Sequence, residues 1–520
     1  MKLGSFQGLE LARKALFAQQ GALYTTGHNI ANVNTDGYSR QRVNFETDSS
    51  FPQPSRFMPN IPGQVGTGVN IGTVQRIREH FLDMQYRAEN SRSQYWDTKS
   101  EAIKRMENVL NEPSEEGLNA QMDLLWQSIE DLVNDSDNSG ARAVVAQRAL
   151  GFTETFNHLS KSLQAIRKDL KDQIDVSVKS VNSLMEQIHN LNEQIKKIEP
   201  HGMLANDLYD ERDRLIDNLS EYMNVKVSYE SSGGNSLDIA DGLATIEVLD
   251  SSGQSFDPPI VLVDATDKDN LSFNELEIGY DDEGLVSSLT VDGGSNNGNR
   301  LADIVTSDGR LNGLMESYGY DGGIDNLYPA MLQKLDDMAA AFANAFNAQH
   351  AEGIDKNGVQ GTDAFFVIKE EFLDPDNPNE TPIFTAENIT VSEEIMEDPN
   401  RIAAAEVGGG SRNGNNAFKL LDVFDEPLGD LEDTSVRQHY IAVIGELGVQ
   451  GQKANTMKNS TETLKAQIDN SRMSVTAVSL DEEISNLIKF QHAYNAAARS
   501  LTAVDELLDK VINQMGLVGR

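Results

Sequence analysis

The chain has 520 residues, a length that accommodates roughly three or four domains with separate cores. Its 82 acidic and 43 basic residues leave a formal net charge of −39, which disfavours nucleic acids and anionic membrane surfaces as partners. It contains no cysteine, which excludes disulfides, thiolate nucleophiles and cysteine metal ligands. No stretch is long and apolar enough for membrane insertion, and the first residues lack the pattern of a cleaved signal peptide.

The N-terminal segment repeats large aliphatic residues at every seventh position: Leu9, Leu16, Leu23 and Ile30. This spacing predicts a coiled-coil helix over residues 1–36. Residues 15–35 carry no formal charge, and Gly21 and Gly27 each weaken a helix by about 1 kcal/mol relative to alanine. We therefore expect this helix to need a partner. The turn after it contains a group of polar residues: Asn29, Asn32, Asn34 and Tyr38. Gly37 suits the positive φ that such a helix end requires.

Residues 37–223 are predicted to form a helical rod domain, together with residues 301–350 and 433–477. Prolines and glycines between residues 52 and 72 predict an extended loop and a short strand or hairpin. Between Pro113 and Pro200 two heptads of different register predict one long helix with a stutter. Their apolar members are Phe156, Leu159, Leu163, Ile166 and Leu170, then Leu184, Ile188, Leu191, Ile195 and Ile198.

Residues 224–300 alternate apolar and polar positions and are interrupted by glycine and asparagine, which predicts an inserted β-rich domain. Helix is expected again over residues 311–347. Residues 351–432 are rich in proline and predict a mixed segment of short strands and loops. The predicted fold class is therefore mainly α with inserted β-rich domains, an elongated multidomain protein whose N- and C-terminal helices pair as a coiled coil.

The C-terminal segment, residues 478–520, has a seam with alternating spacings of three and four: Ile484, Leu487, Gln491, Tyr494, Ala498, Leu501, Asp505, Leu508, Ile512 and Met515. Such a seam predicts a coiled-coil helix. No proline follows Pro427, so we expect helix without a break from Ser435 onward. Residues 490–498 carry no formal charge, which predicts protein on more than one side of the helix. On pattern alone, a helix pair that closes an ordinary globular core fits equally well.

Motifs of catalysis and ligand binding are missing from the sequence. We find no HExxH, no phosphate-binding P-loop and no GxSxG elbow. Asp135 begins a segment that resembles an EF-hand loop, but its twelfth position is Ala146, where calcium needs a bidentate glutamate. We therefore predict no catalytic residue, no cofactor and no metal site.

Two longer stretches resemble the axial proteins of the bacterial flagellum. Residues 27–43 read GHNIANVNTDGYSRQRV, and the serine, arginine and glutamine that follow Tyr38 are similar to the first hook-associated protein (FlgK) family. Residues 478–516, VSLDEEISNLIKFQHAYNAAARSLTAVDELLDKVINQMG, resemble the matching terminus of that family. GRLNGLMES near Gly309 and FNAQHAEGIDKNGVQGTDAFF at residues 346–366 resemble it as well, in the family's order.

The resemblance implies a non-enzymatic structural subunit that forms the hook–filament junction and self-assembles through its terminal helices. Its expected assembly interface comprises Leu9, Leu16, Leu23, Asn29, Ile30, Asn32, Asn34, Tyr38, Ile484, Leu487, Gln491, Tyr494, Leu501, Leu508 and Ile512. Its implied partners are the hook protein, the second hook-associated protein, other copies in a ring or short tube, a cytoplasmic export chaperone that binds the C-terminal helix, and the flagellar type III export apparatus. The implied location is extracellular, in the flagellum, without cleavage of a signal peptide.

Two alternatives remain open at this point. One is another flagellar axial protein, such as a hook-type subunit, which the residues after Tyr38 and the long middle helices disfavour. The other is a soluble hydrolase or adhesin with a coiled-coil stalk. That protein would need a convergent polar pocket in residues 225–300 or 368–432, and the sequence does not show one.

Overall fold

The computed structural model describes residues 5–49, 66–112, 114, 117–292, 298–324, 326–361, 363–373, 383–410, 412–431 and 433–514. The helices of this part are α1 (Ser5–Ala31), α2 (His80–Leu110), α3 (Leu118–Asn134), α4 (Ser139–Ile198), α5 (Asn206–Leu219), α6 (Leu301–Ile304), α7 (Arg310–Tyr318), α8 (Leu327–Glu352), α9 (Glu393–Glu397), α10 (Asn415–Asp422), α11 (Val436–Thr476) and α12 (Leu480–Asp509). Its strands are β1 (Gln41–Thr47), β2 (Val69–Arg76), β3 (Val225–Glu230), β4 (Leu243–Leu249), β5 (Ser255–Asp264), β6 (Ser272–Phe273), β7 (Glu275–Tyr280), β8 (Val286–Asp292), β9 (Gly298–Asn299), β10 (Gly353–Ile354), β11 (Phe366–Ile368), β12 (Ile389–Val391) and β13 (Ala405–Glu406).

The long helix α4 is the axis of the rod. It has 60 residues, and a helix of that length extends about 90 Å. The side chain of Asn138 caps it by accepting hydrogen bonds from the amides of Gly140 and Ala141, so the segment that resembles an EF-hand serves as a helix cap. Both predicted heptads lie on this one unbroken helix, whose buried apolar residues run from Val145 to Ile195.

An aromatic cluster fills the core where α4 meets α8. The ring of Phe342 lies 5.2 Å from Phe152, 5.5 Å from Phe366 and 5.0 Å from Phe424, measured between centroids. All four side chains are fully buried. Helix α3 packs against α4, and α11 packs along α2, so the rod surrounds one continuous core.

The predicted β-rich insertion is present. Its strands form one antiparallel sheet in the order β3-β4-β5-β6 and a second in the order β7-β8-β9. Two asparagines of α4 bind strand backbones: Asn192 donates to the carbonyl of Ala244 at 2.9 Å, and Asn182 donates to that of Leu276 at 2.9 Å. Buried residues of these strands, such as Ile246 and Leu289, belong to the same core as α4.

Residues 351–432 contain the expected short strands but also two helices, α9 and α10, that the proline-rich composition did not predict. Strand β10 pairs with β13, and β11 pairs with β12. Phe365, Ile389 and Leu420 from this segment are buried in the main core. The segment therefore completes the core of the rod. Its apolar side chains pack over the aromatic cluster of α8, which would otherwise be exposed to solvent.

Two predicted helices are interrupted. The helix expected over residues 311–347 is divided into α7 and α8, because Gly319 adopts a φ of +112° and a side chain there would collide with Pro329. The C-terminal helix expected from Ser435 onward is divided between α11 and α12 without a proline. Here the amide of Arg40 donates to the carbonyl of Thr476 at 2.9 Å, so a contact from the N-terminal segment stabilises the end of α11.

The terminal helices α1 and α12 pack on each other and stand apart from the main core. Neither helix contributes a residue to the hydrophobic clusters of the described chain. Within the described residues, no helix combines the length and apolar character needed to cross a membrane.

Candidate assembly interface

Helix α1 packs against both α12 and the β1-β2 hairpin, and Phe490 of α12 also contacts Phe45 of the hairpin. Toward α12, a Cβ added at Gly8 would touch Val504 at 3.5 Å. Toward the hairpin, a side chain at Gly21 would collide with Ile71, so glycine permits the close approach of helix and strand at this position. These contacts give the N-terminal helix the partner that its sequence requires, α12, and add the hairpin as a second one.

The seam of α12 is partly different from the predicted one. Of the predicted seam, Leu487, Tyr494 and Leu501 are half-buried and Leu508 is buried. Glu483, Phe490 and Val504 are more buried than the predicted alternate residues that follow them, and they lie beside Asn29, Phe45 and Gly8. Several predicted seam residues are exposed instead: Ile484, Gln491, Asp505 and Ile512. Ala498 is half-buried, and Met515 lies outside the described residues.

The start of the seam is shifted from Ile484 to Glu483 because Glu483 makes polar contacts with other parts of the chain. Hydrophobicity alone selects Ile484, which is 49% exposed, over its neighbour Glu483, which is 2% exposed. Glu483 accepts hydrogen bonds from Asn29 Nδ2 at 3.1 Å and from Arg40 Nε at 2.8 Å. A buried carboxylate is tolerated where charged and polar partners surround it, and these partners come from a distant part of the chain.

Helix α1 uses two faces. The predicted heptad residues Leu9, Leu16, Leu23 and Ile30 are all half-buried. The most deeply buried apolar residues are small ones outside that heptad, Ala18 and Ala22, and Ala18 lies one turn before Gly21, which faces the hairpin. Small residues allow the strand backbone to come close, so the heptad predicted one contact face and missed the other.

The outer surface of the helix pair exposes large apolar side chains. On α1 the exposed fractions are 73% for Phe6, 61% for Phe17 and 77% for Tyr24, and these residues share one face. On α12 and the turn after it, the exposed side chains are Ile484, Ile488, Leu507, Val511 and Ile512. Contiguous apolar surface of this kind marks an interaction site in a soluble protein.

The turn after α1 is organised around the side chain of Asn29, which is 1% exposed. Its Oδ1 accepts from the amide of Gln41 at 3.0 Å and from the hydroxyl of Tyr38 at 2.8 Å. Its Nδ2 donates to the carbonyl of Gln41 at 2.8 Å as well as to Glu483. One amide therefore joins the end of α1, the start of β1 and the start of α12.

The remaining motif residues have smaller roles inside the chain. Asn32 Nδ2 donates to the carbonyl of His28, and its Oδ1 accepts from the hydroxyl of Thr35, which is the local turn predicted from sequence. Asn34 is exposed in that turn, outside the Asn29 network. Gly37 has a φ of +76°, which confirms the predicted positive φ. Burial raises the pKa of Tyr38 well above its ordinary value, so its hydroxyl remains a hydrogen-bond donor.

Below this turn, a cluster of buried charges surrounds Asp213 of α5. Its carboxylate lies 3.0 Å from Arg76 at the end of β2, 3.4 Å from Arg78 and 3.3 Å from Arg87 of α2. Burial alone would raise the pKa of Asp213, but these guanidinium groups hold it far below its ordinary value. Asp210 pairs with Arg76 at 2.7 Å, yet burial outweighs that pairing and raises its pKa.

The same cluster reaches the end of α11. Arg472 pairs with Asp217 of α5 at 2.5 Å, and its guanidinium lies 3.8 Å from the ring centroid of Tyr86 on α2. Strand β2 and helices α2, α5 and α11 therefore meet at one ionic joint. Removing one partner of a buried ion pair is strongly destabilising because it leaves an uncompensated charge, so this joint holds the β1-β2 hairpin on the rod.

Sequence reasoning missed this joint, because acidic residues are so abundant that their pairing carried no weight. A usable signal was present in α5, where Asp210, Asp213 and Asp217 follow spacings of three and four and so share one helix face. Basic residues that could match them occur at Arg76 and Arg78, but nothing in the sequence places that strand beside α5.

The turn and the ionic joint contain many titratable side chains, but their geometry does not suit metal binding. Among the described residues, no group of three His, Asp or Glu side chains is placed to hold a metal ion. The polar groups of the turn and the joint bind one another, whereas the exposed residues of the helix pair include several large apolar side chains. This division suits a surface that binds protein.

Comparison with known families agrees with this geometry. Residues 103–366 match the flagellar hook-associated protein FlgK helical domain. Residues 9–38 match the flagella basal body rod protein family, and residues 470–515 match the flagellar basal body rod FlgEFG protein C-terminal family. The terminal matches cover most of α1 with its turn and α12, whereas the helical-domain match covers much of the rod and the β-rich insertion.

Individual relatives extend the similarity to the whole chain. Flagellar hook-associated protein 1 of Bacillus subtilis is 44% identical over 99% of both chains. The protein of that name from Escherichia coli is 25% identical over 96% of this chain and 98% of its own length. A solved structure of the flagellar hook junction protein FlgK from Burkholderia pseudomallei has the same fold, with a TM-score of 0.59 and 14% identity over 76% of this chain and all of the other. The chain therefore belongs to the flagellar hook-associated protein 1 family.

Proposed function

We propose that the protein is a structural subunit of the hook–filament junction of the bacterial flagellum, without catalytic activity. The observation that carries this proposal is the exposed apolar surface of the paired terminal helices, from Phe6 to Tyr24 on α1 and from Ile484 onward on α12. A monomer gains nothing from such a surface, whereas a subunit surrounded by neighbours buries it. The family of the chain supports the flagellar setting.

A junction subunit needs three kinds of neighbour: the hook protein on one side, the second hook-associated protein on the other, and copies of itself in a ring or short tube. Because such contacts are head-to-tail, one set of surfaces serves every copy. The ionic joint around Asp213 supports this role, since it attaches to the rod the β1-β2 hairpin against which α1 packs. The extracellular flagellum is the place where these neighbours meet.

Before assembly, the apolar surface of α12 requires protection. A cytoplasmic export chaperone that takes an amphipathic helix into a groove would supply it, and passage through the flagellar type III export apparatus follows. Only the side chains of α12 that are exposed in the folded monomer are accessible to such a chaperone. Leu487, Tyr494, Leu501 and Leu508 turn toward α1, whereas Ile484, Ile488 and Leu507 face outward. A chaperone that recognises the folded monomer therefore binds the outward set.

The experiment compares two double variants of the full chain with equal changes in charge. Ile488→Asp with Leu507→Asp alters the outward face of α12, at side chains that are 48% and 59% exposed. Val144→Asp with Val176→Asp alters exposed aliphatic residues of α4, at 48% and 62%. We expect the α12 pair to abolish filaments and chaperone pull-down, and the α4 pair to preserve both. Wild-type motility and chaperone binding by the α12 pair would refute the proposed interface.

A further inference from the structure

The outer face of α11 differs from the rest of the rod in having no charge. An arc of exposed residues runs along the helix from Gln438 to Ser474 through Gly445, Val449, Thr456 and Thr463, at helical spacings of three and four. Every residue on the arc is Gln, Asn, Ser, Thr, Gly, Ala, Ile or Val. With a rise of 1.5 Å per residue the arc is about 54 Å long.

The charged residues of α11 lie on its flanks and its inner side, outside the arc. Glu446 pairs with Lys334 of α8 at 2.5 Å, and Lys458 pairs with Asp97 of α2 at 2.5 Å. The exposed face of α4 shows the usual alternative, since it carries charges along its length, among them Glu154, Asp172 and Glu186. A solvated helix normally places its charged residues on its outer face, and α11 reverses this arrangement.

Two glycines on the arc make no close contact within the monomer that would require glycine. A Cβ added at Gly445 or Gly448 would meet nothing within 4 Å. By contrast, a Cβ at Gly451, which faces α2, would collide with Glu107. Glycine is the least favourable residue in a helix interior after proline, so these two positions weaken α11 without a benefit inside the chain. A glycine surface becomes useful when another backbone packs closely against it.

We propose that the uncharged face of α11 is a lateral contact with a second copy of this chain, an inference that rests on the proposed function as a polymer subunit. The net charge of the chain favours a second copy as the partner at this face. Two copies that each carry a net charge of −39 repel one another over most of their surface, and they can approach closely only where the charge is absent. A basic partner would be attracted to the acidic surfaces and would gain nothing from this one.

The size of the face agrees with a contact that forms only during assembly. A strip of this length and about 10 Å wide buries on the order of 500 Å² on each copy. Stable dimers bury roughly 800 Å² on each partner. The face by itself is therefore too small to hold two copies together in solution, and it adds to the contacts of the terminal helices once these bring the copies side by side.

The test places a photoreactive benzoylphenylalanine at Val449 of the full chain in flagellated cells, with Val176 of α4 as the matched control. Both valines are exposed, at 67% and 62%, on long helices. After irradiation of isolated flagella, we expect Val449 to give a covalent adduct of two copies of this chain and Val176 to give none. An adduct between Val449 and a different protein overturns the proposal.

A third probe, at Tyr24, distinguishes failure of this inference from failure of the proposed function. If Tyr24 gives adducts with neighbours and Val449 gives none, the α11 face is unoccupied and this inference is wrong, while the proposed function stands. Absence of the chain from the isolated flagella would overturn the proposed function and this inference with it.

Substitutions supply a second readout. Val449→Glu is expected to leave the circular dichroism and melting temperature of the isolated chain unchanged and to reduce the number of filaments, whereas Val176→Glu leaves both unchanged. The double variant Gly445→Ala with Gly448→Ala is expected to raise the melting temperature and to reduce filament number. If it raises the melting temperature and filaments form at the wild-type level, the glycines serve no contact and the proposal fails.

Discussion

The rod and the terminal helix pair are both helical, but they hold together by different means. In α4, fully buried apolar residues recur along the whole helix and join a core shared with α2, α3, α8 and the inserted strands. In α12, the buried residues are Glu483 and Leu508. The comparison shows that the rod is held together by a continuous apolar core, whereas the start of α12 is attached by the polar contacts of Glu483 with Asn29 and Arg40.

The largest effect is expected from deleting residues 478–520. Because the main core contains no residue of α12, the truncated chain should keep the far-ultraviolet circular dichroism and melting transition of the rod. Assembly should stop, since α1 loses its partner and the outward residues of α12 are gone. A swimming assay and electron microscopy of cells that carry the truncation measure this. Filaments of normal number on such cells would show that the pair is dispensable.

A matched pair of truncations to alanine sharpens the contrast. Phe342→Ala opens a cavity among fully buried rings in the rod and should lower the free energy of unfolding by about 3–5 kcal/mol. Leu16→Ala removes a half-buried side chain of α1 and should leave the main transition nearly unchanged. Urea unfolding of both variants provides the comparison. Equal losses would mean that the pair and the rod unfold as one unit.

Acid should destabilise the rod through His350 of α8. Burial lowers the pKa of this imidazole to about 4, whereas the unfolded chain has an ordinary value near 6.5. Between those values the unfolded state binds more protons, so the free energy of unfolding falls as the pH drops from about 6.5 to about 4, by about 3 kcal/mol in total. Urea unfolding at several pH values measures this slope, and His350→Gln should flatten it. An unchanged slope in that variant would assign the acid sensitivity to other groups.

The smallest effect is expected from the polar contact that attaches the start of α12 to Arg40. Glu483→Gln removes the buried charge that faces Arg40 and should weaken the attachment of α12 by about 2 kcal/mol. Its neighbour provides the control, since Glu482 also pairs with Arg40, at 2.7 Å, but its side chain is 61% exposed. Glu482→Gln should change little, because exposed ion pairs contribute little. Hydrogen exchange at the start of α12 reads out both, and equal responses would contradict the role assigned to burial.

The contrast between the regions also explains what the sequence could predict. Where a helix is buried along its length by apolar residues, the pattern is sufficient, and the two heptads of α4 predicted that helix correctly. In α12 both faces carry aliphatic residues, so hydrophobicity alone selected Ile484 and missed Glu483. The buried position of Glu483 depends on Asn29 and Arg40, more than 400 residues earlier in the chain.

The break between α11 and α12 has a similar origin. It lies in residues without proline or glycine, and it is stabilised by the amide of Arg40, a contact that no local pattern contains. The ionic joint around Asp213 could likewise not be predicted from local patterns, because its charges come from β2, α2 and α5. Contacts between segments distant in sequence are therefore the part of this fold that composition and periodicity do not predict.

Hydrogen exchange on the free, full-length monomer tests the central claim most directly, because it measures both regions in one sample. We predict that amides of α4 and α8 exchange slowly, near the limit set by global unfolding. Amides of α1 and of α12 should exchange much faster, and the difference should shrink in assembled flagella. Equally slow exchange of the terminal helices and the rod in the monomer would contradict the account, because the pair would then be a stable part of a closed globular fold.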